Sequence, residues 1–130
     1  MTTGIIVFAH GSRIEPANQA VRLAAADLAR AGDYPIVEAA FLELGRPGLE
    51  EAADLLVAQG VERIVIIPYF LTPGTHLERD LPSIVERILK KHHDIQVIDT
   101  ASLDGHPGLV QILAERARTV LLSPTHSNKT

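Results

Sequence analysis

The segment Val61-Glu62-Arg63-Ile64-Val65-Ile66-Ile67-Pro68-Tyr69-Phe70 carries Ile64, Val65, Ile66 and Ile67 in an unbroken β-branched run. A strand with one solvated face alternates apolar and polar residues. A run apolar on both faces belongs at the centre of a parallel sheet covered on both sides. Shorter runs of the same kind occur at Ile5-Ile6-Val7-Phe8, Ile36 to Leu42 and Ile95 to Ile98. Helical periodicity fills the gaps between them. Pro16 suits a first helical turn, after which Ala17, Ala20, Val21, Ala24 and Leu28 recur at helical spacing until Gly32. After Pro47 a second stripe, Leu49, Ala52, Ala53, Leu56 and Val57, runs to a stop at Gly60. A third contains Leu81, Ile84, Val85, Ile88 and Leu89 with Pro82 early, and Pro107 opens a fourth along Leu109, Ile112, Leu113, Val120 and Leu121.

Strand and helix thus alternate four times, the pattern of an α/β domain: a four-stranded parallel sheet with helices on both faces. Right-handed crossovers favour a doubly wound topology, and the order 2-1-3-4 is the simplest. Residues 1–122 are expected to form this single domain. Residues 123–130 are polar, with one proline and no periodicity, and are expected to be a flexible tail.

A chain of 130 residues can bury a core as one domain. It has no cysteine, which excludes disulfides, thiolate zinc sites and cysteine nucleophiles, so any metal would be held by nitrogen and oxygen. The net charge of -4 argues against a nucleic-acid or membrane-surface partner held by bulk electrostatics. Met1-Thr2-Thr3-Gly4 lacks the basic and apolar regions of a signal peptide, and no apolar run approaches the roughly 20 residues of a membrane span, so a soluble, cytoplasmic protein is expected. Neither G-x-G-x-x-G nor G-x-x-x-x-G-K-[ST] is present, and no G-x-S-x-G surrounds Ser12.

His10 follows the first strand, Glu43 the second and His76 the third, each 33 residues after the last. In the order 2-1-3-4 all three emerge at the carboxyl edge, where open α/β sheets place their ligand sites. Two imidazoles and a carboxylate suit a borderline divalent metal such as iron, cobalt or nickel. Taken singly, each has an ordinary reading as a hydrogen-bonded or solvated loop residue. Their common edge is what favours a site. His10-Gly11 also occurs in mutase-type phosphoryl-transfer enzymes, but there an arginine precedes the histidine, and here Ala9 does. Arg13, Arg46 and Arg79 each come three residues after His10, Glu43 and His76. Singly they could pair with Glu15, Glu50 or Asp80; together they suggest a basic rim for a polycarboxylate ligand, aided by helix N-termini. His92 and His93 lie in a basic stretch expected at the surface, and His106 is either a rim group or a helix cap.

As an ordered set, Ala9-His10-Gly11-Ser12-Arg13, Phe41-Leu42-Glu43, Pro68-Tyr69-Phe70-Leu71 through Gly74-Thr75-His76, Asp80-Leu81-Pro82 and Gly105-His106-Pro107 resemble the short CbiX-type sirohydrochlorin chelatases. These insert cobalt, iron or nickel into a tetrapyrrole, in siroheme or cobalamin-type biosynthesis. The resemblance implies a lyase with His10, Glu43 and His76 as catalytic residues. His10 and His76 would be metal ligands, His10 would also accept protons, and Glu43 would assist at the metal or take protons. Arg46 and the loop Leu71, Thr72, Pro73, Gly74, Thr75 and His76 would hold the macrocycle, with Arg13 on the rim. No organic cofactor is implied; Co²⁺, Fe²⁺ or Ni²⁺ is a substrate. Longer family members carry two such halves face to face, so a single half implies a homodimer. A non-catalytic carrier of metal or tetrapyrrole would use the same ligands.

Overall fold

We describe residues 1–72 and 74–122 of a computed structural model, leaving aside the side chain of His76. Pro73 and the expected tail, residues 123–130, lie outside the described residues. The elements run β1 (Thr3–Ala9), α1 (Glu15–Gly32), β2 (Val37–Phe41), α2 (Leu49–Ala58), β3 (Arg63–Pro68), α3 (Thr75–Lys91), β4 (Gln96–Asp99) and α4 (Pro107–Leu121). All strand pairs are parallel and the order is β2-β1-β3-β4, as expected. The strands alternate their side chains between two cores. Ile6 and Phe8, with Ala40, Ile64 and Ile66, pack beneath Leu49, Ala52, Leu56, Leu81 and Ile88 of α2 and α3. Val7 and Ala9, with Ala39 and Phe41, pack beneath Val21 and Ala25 of α1.

The structure corrects the sequence reading in three places. The strand buried on both faces is β1, closed from Gly4 to Ala9. In β3, Ile64 and Ile66 are buried while Val65 and Ile67 are only half-buried. α1 lies over β1 and β2, and α4 contributes no buried residue, so this face of β3 has no helix over it. The third helix begins at Thr75, well before Leu81, which places Pro82 in its interior. Gly74 is its N-cap, and the Gly74 carbonyl accepts from the Leu77 and Glu78 amides at 3.1 and 3.3 Å. A proline there has no amide to donate to the turn before it. The helix persists because Leu77, Leu81 and Ile88 anchor it in the core on both sides of Pro82. Third, His92 is not a free surface group. Its Nε2 lies 2.7 Å from Asp54 Oδ1, at the seam where α3 packs on α2. None of the described helices is long and apolar enough to cross a membrane.

At that seam Lys91 reaches both Asp54 and Glu50, at 3.1 and 3.3 Å, and Arg87 donates to Glu50 at 3.1 Å. The His92 hydrogen bond holds the Asp54 carboxyl below its ordinary range; Lys91 acts in the same direction and partial burial opposes it. A carboxyl lowered in the folded state stabilises above its unfolded pKa and loses that contribution as pH falls through the folded value. Asp54→Asn is therefore expected to lower Tm at pH 7, with the gap to the wild type closing below about pH 4. Thermal unfolding followed by circular dichroism at several pH values checks this. A gap independent of pH would remove the ion pairs from the account.

Candidate functional site

β1 and β3 are neighbours, and the helices after them leave on opposite faces, so the crevice of a doubly wound sheet opens at their carboxyl ends. His10 is the first residue beyond β1. Its ring stands edge-on to Phe70, with centroids 6.3 Å apart and planes inclined by 73°. Phe70 is itself buried against Phe8, centroids 5.9 Å apart, so the imidazole rests on an apolar floor. Glu43 approaches from the next loop, with Oε1 3.9 Å from His10 Nδ1, and both side chains are 59% exposed.

Backbone contacts bring the two together. Beyond the strand ends the β1–β2 ladder continues: the Leu42 amide donates to the Ala9 carbonyl at 2.9 Å, and the Glu43 amide to the His10 carbonyl at 3.1 Å. Gly11 makes this approach possible. It adopts φ 97°, and a Cβ there would lie 1.6 Å from the Glu43 carbonyl oxygen. Only glycine satisfies both conditions.

Beneath the loops lies Asn18, the one polar residue among the buried side chains of the described residues. Its Oδ1 accepts from the Ser12 amide at 2.9 Å, while Nδ2 donates to the Ser12 carbonyl at 2.8 Å and to the Leu44 carbonyl at 3.0 Å. One carboxamide thereby ties the loop carrying His10 to the loop carrying Glu43. Sequence reasoning passed over it, although the signal was present. Asn18 falls on the same helical stripe as Val21 and Ala25, and a carboxamide on a buried stripe needs partners.

The expected triad is brought together in part. His10 and Glu43 meet as described. The backbone of His76 lies in the first turn of α3, not in a loop, and at the same sheet edge, because β3 pairs with β1. Among the described side chains no three His, Asp or Glu gather into a metal cluster. Of the segment expected to hold a macrocycle, Leu71 and Thr72 are exposed, Gly74 caps α3, and Thr75 and His76 begin it. The helix start adds unpaired amides and positive partial charge to the edge.

Arg46 is 84% exposed and pairs with Glu51 at 3.2 Å. Arg13 and Arg79 are exposed and have no ion-pair partner among the described residues. Of the acids the sequence offered as partners for this rim, Glu15 is engaged with Arg22 and Glu50 with Arg87 and Lys91. Arg22, absent from the sequence reading, places its guanidinium 5.3 Å from the Phe41 ring centre and donates to the Arg46 carbonyl at 3.2 Å. It supports the loop that presents Arg46. His106 is a cap: its Nδ1 accepts from the Gly108 amide at 2.9 Å at the start of α4.

The CbiX family profile matches residues 4–120. The chain belongs to the CbiX family. It is 35% identical over 124 residues to a sirohydrochlorin cobaltochelatase of Sulfurisphaera tokodaii, covering 95% of this chain and 98% of that one. To a chloroplastic sirohydrochlorin ferrochelatase of Arabidopsis thaliana it is 36% identical over 118 residues, covering 91% of this chain and 52% of that one. The crystal structure of the sirohydrochlorin chelatase SirB from Bacillus subtilis subspecies spizizenii, in complex with cobalt, superposes with a TM-score of 0.81 at 26% identity, covering 92% of this chain and 51% of that one. The chain therefore spans about half the length of the plant and Bacillus relatives and nearly all of the archaeal one.

Replacing Asn18 by Leu leaves the Ser12 amide and the Ser12 and Leu44 carbonyls without their partner. The expected cost is about 1–3 kcal/mol in urea denaturation. Amide exchange is expected to quicken at residues 10–14 and 43–46 more than in the strands. Uniform acceleration across the chain would show a general loss of packing instead of a released clamp.

Proposed function

We propose that this chain is a sirohydrochlorin chelatase that inserts a divalent metal, Fe²⁺ or Co²⁺, into the free-base macrocycle, with Ni²⁺ a further candidate substrate. The observation that carries the reading is the exposed His10–Glu43 pair, 3.9 Å apart at the switch-point edge of the sheet, the edge from which α3 also starts. Membership of the CbiX family, with named chelatases among the relatives, supports it.

Metal insertion displaces two pyrrole protons, so the site needs groups that can bind a cation and accept protons in turn. A neutral imidazole does both, since its ordinary pKa of about 6.5 lies just below cellular pH. We assign the metal to His10 and His76. Glu43, beside His10 Nδ1, neutralises charge as the metal arrives and draws protons away from the ring. Phe70 fixes the imidazole from below and leaves its exposed side to the macrocycle. Arg46 and Arg13 bind the carboxylates of sirohydrochlorin. The Arg46–Glu51 pair is exposed and correspondingly weak, so it can open for the substrate. We assign the segment Leu71, Thr72, Pro73, Gly74, Thr75 and His76 to holding the macrocycle. One copy leaves His10 and Glu43 open to solvent, so a second copy is assigned the opposite wall of the cleft in a two-fold homodimer.

Purified protein is expected to accelerate the absorbance change of metallation through many turnovers under excess sirohydrochlorin and metal. His10→Ala and His76→Ala should each lower the rate by roughly 10²-fold or more. Full acceleration in both variants would overturn the assignment, and stoichiometric uptake without turnover would indicate a carrier. Competition between Co²⁺, Fe²⁺ and Ni²⁺ identifies the preferred metal.

Arg46→Ala should raise KM for sirohydrochlorin with a smaller change in kcat, as loss of uniform binding does. Added salt should weaken the wild type more than this variant. Unchanged KM and salt response would assign Arg46 to the surface alone.

A further inference from the structure

Among the described residues, two non-glycine residues take a positive φ: Asp33 at 56° and Leu44 at 58°. Asp33 ends α1, and a short polar side chain tolerates that conformation. Leu44 is different. A bulky side chain is disfavoured there, because its Cβ crowds the carbonyl oxygen that follows.

The loop leaves the Leu44 backbone little choice. Its carbonyl accepts from Asn18 Nδ2 at 3.0 Å, and its carbonyl carbon lies 3.5 Å from where a Cβ on Gly11 would stand. On the other side Gly45 presses on Phe41, whose ring would lie 2.8 Å from a Cβ there. These contacts explain the left-handed turn but not the leucine. Glycine or asparagine would take this φ with less strain. Packing does not explain it either, since Leu44 is 50% exposed and belongs to neither core cluster.

Ile14 repeats the pattern on the neighbouring loop. It is the N-cap of α1, a position that favours Ser, Thr, Asn or Asp, and isoleucine offers no cap hydrogen bond. It too stands outside both cores and is 66% exposed. The Asn18 nitrogen that holds the Leu44 carbonyl also holds the Ser12 carbonyl, two residues before Ile14, at 2.8 Å. The two aliphatic residues thus sit on loops joined at one atom, four residues beyond His10 and one beyond Glu43. A residue kept against its local preference, twice and at one sheet edge, is a mark of function.

Neighbouring charge indicates the chemistry these residues meet. Arg13 directly precedes Ile14, and Arg46 lies two residues beyond Leu44; both arginines are exposed. Each loop therefore offers an aliphatic group and a guanidinium within two residues of each other. A bare metal ion uses neither. A flat apolar body with carboxylates at its margin uses both, and a polycarboxylate tetrapyrrole has that character.

We propose that Leu44 and Ile14 are substrate contacts that lie against one face of the macrocycle and hold it over His10 and Glu43, and that keeping them lowers the stability of the fold. The identity of the ligand rests on the chelatase reading above; the choice of residues rests on backbone conformation, capping and exposure.

Titration with metal-free sirohydrochlorin, followed by its absorbance, separates contact from chemistry because no metal is inserted. Leu44→Asn keeps a residue suited to positive φ and removes the apolar contact. It is expected to raise Kd roughly tenfold, with Tm equal to or above that of the wild type. Ile14→Ser supplies an ordinary N-cap and should move both quantities in the same directions. Leu44→Met should keep wild-type affinity, since volume and apolar character are conserved. Added salt should leave the loss in Leu44→Asn intact, because it screens charge and not apolar contact.

Wild-type affinity in both Leu44→Asn and Ile14→Ser would overturn the inference and leave the chelatase reading standing. A lower Tm in both would do the same, by making the two residues structural. A smaller mass by light scattering would place them between copies of the chain and would equally overturn it. A wild type that fails to bind sirohydrochlorin would overturn both readings.

Discussion

The geometry of the candidate site depends on a side chain that is missing. At Gly11 the main chain turns with φ 97° so close to the next loop that any Cβ would overlap the Glu43 carbonyl. That proximity lets the Glu43 amide reach the His10 carbonyl, which extends the β1–β2 pairing past the ends of both strands. Two polar side chains on separate crossovers are then held by backbone geometry. Their own attraction contributes little, since exposed ion pairs are weak. Asn18 performs the same task from inside the domain. Its carboxamide is buried, where an unmet polar group is costly, and its three part-buried hydrogen bonds to Ser12 and Leu44 keep the spacing of the two loops as long as α1 stays packed.

Support for this edge comes from unequal layers. α2 and α3 cover one face completely, with Ile6, Phe8, Ile64, Ile66 and Ile88 in the larger cluster. On the other face α1 covers only β1 and β2. The firmly built part of the sheet is thus the β2–β1 side from which His10 and Glu43 emerge. The β3–β4 side carries half-buried Val65 and Ile67, with no helix over that face among the described residues.

Much of this was legible in the sequence because hydrophobic period and turn residues are local signals. Four apolar runs, four stripes and the proline and glycine stops fixed the element order, and the handedness of crossovers then left few topologies. His10, Glu43 and His76 could be assigned to one edge because strand ends are local too. What escaped depended on tertiary context. Ile64 to Ile67 are apolar on both faces, yet which strand lies deepest is decided by how many helices cover each face. The start of α3 was misplaced because Pro82 looks like a first-turn proline; Gly74 caps the helix earlier, and core packing of Leu77 and Leu81 holds it through the interior proline. His92 looked solvated among Lys90, Lys91 and His93 because its partner, Asp54, belongs to a different helix.

The openness of the site fits a metal that is passed on. Structural metal sites surround the ion with four protein ligands and exclude further exchange. A metal destined for a macrocycle must leave its protein ligands as the pyrrole nitrogens take over, so few ligands and an accessible side are required. At 59% exposure His10 and Glu43 provide that access, while Gly11 and Asn18 keep the pair from drifting apart when no metal is bound. Rigid backbone beneath exposed ligands thus answers both demands of the proposed reaction: holding a cation in one place and releasing it in one direction.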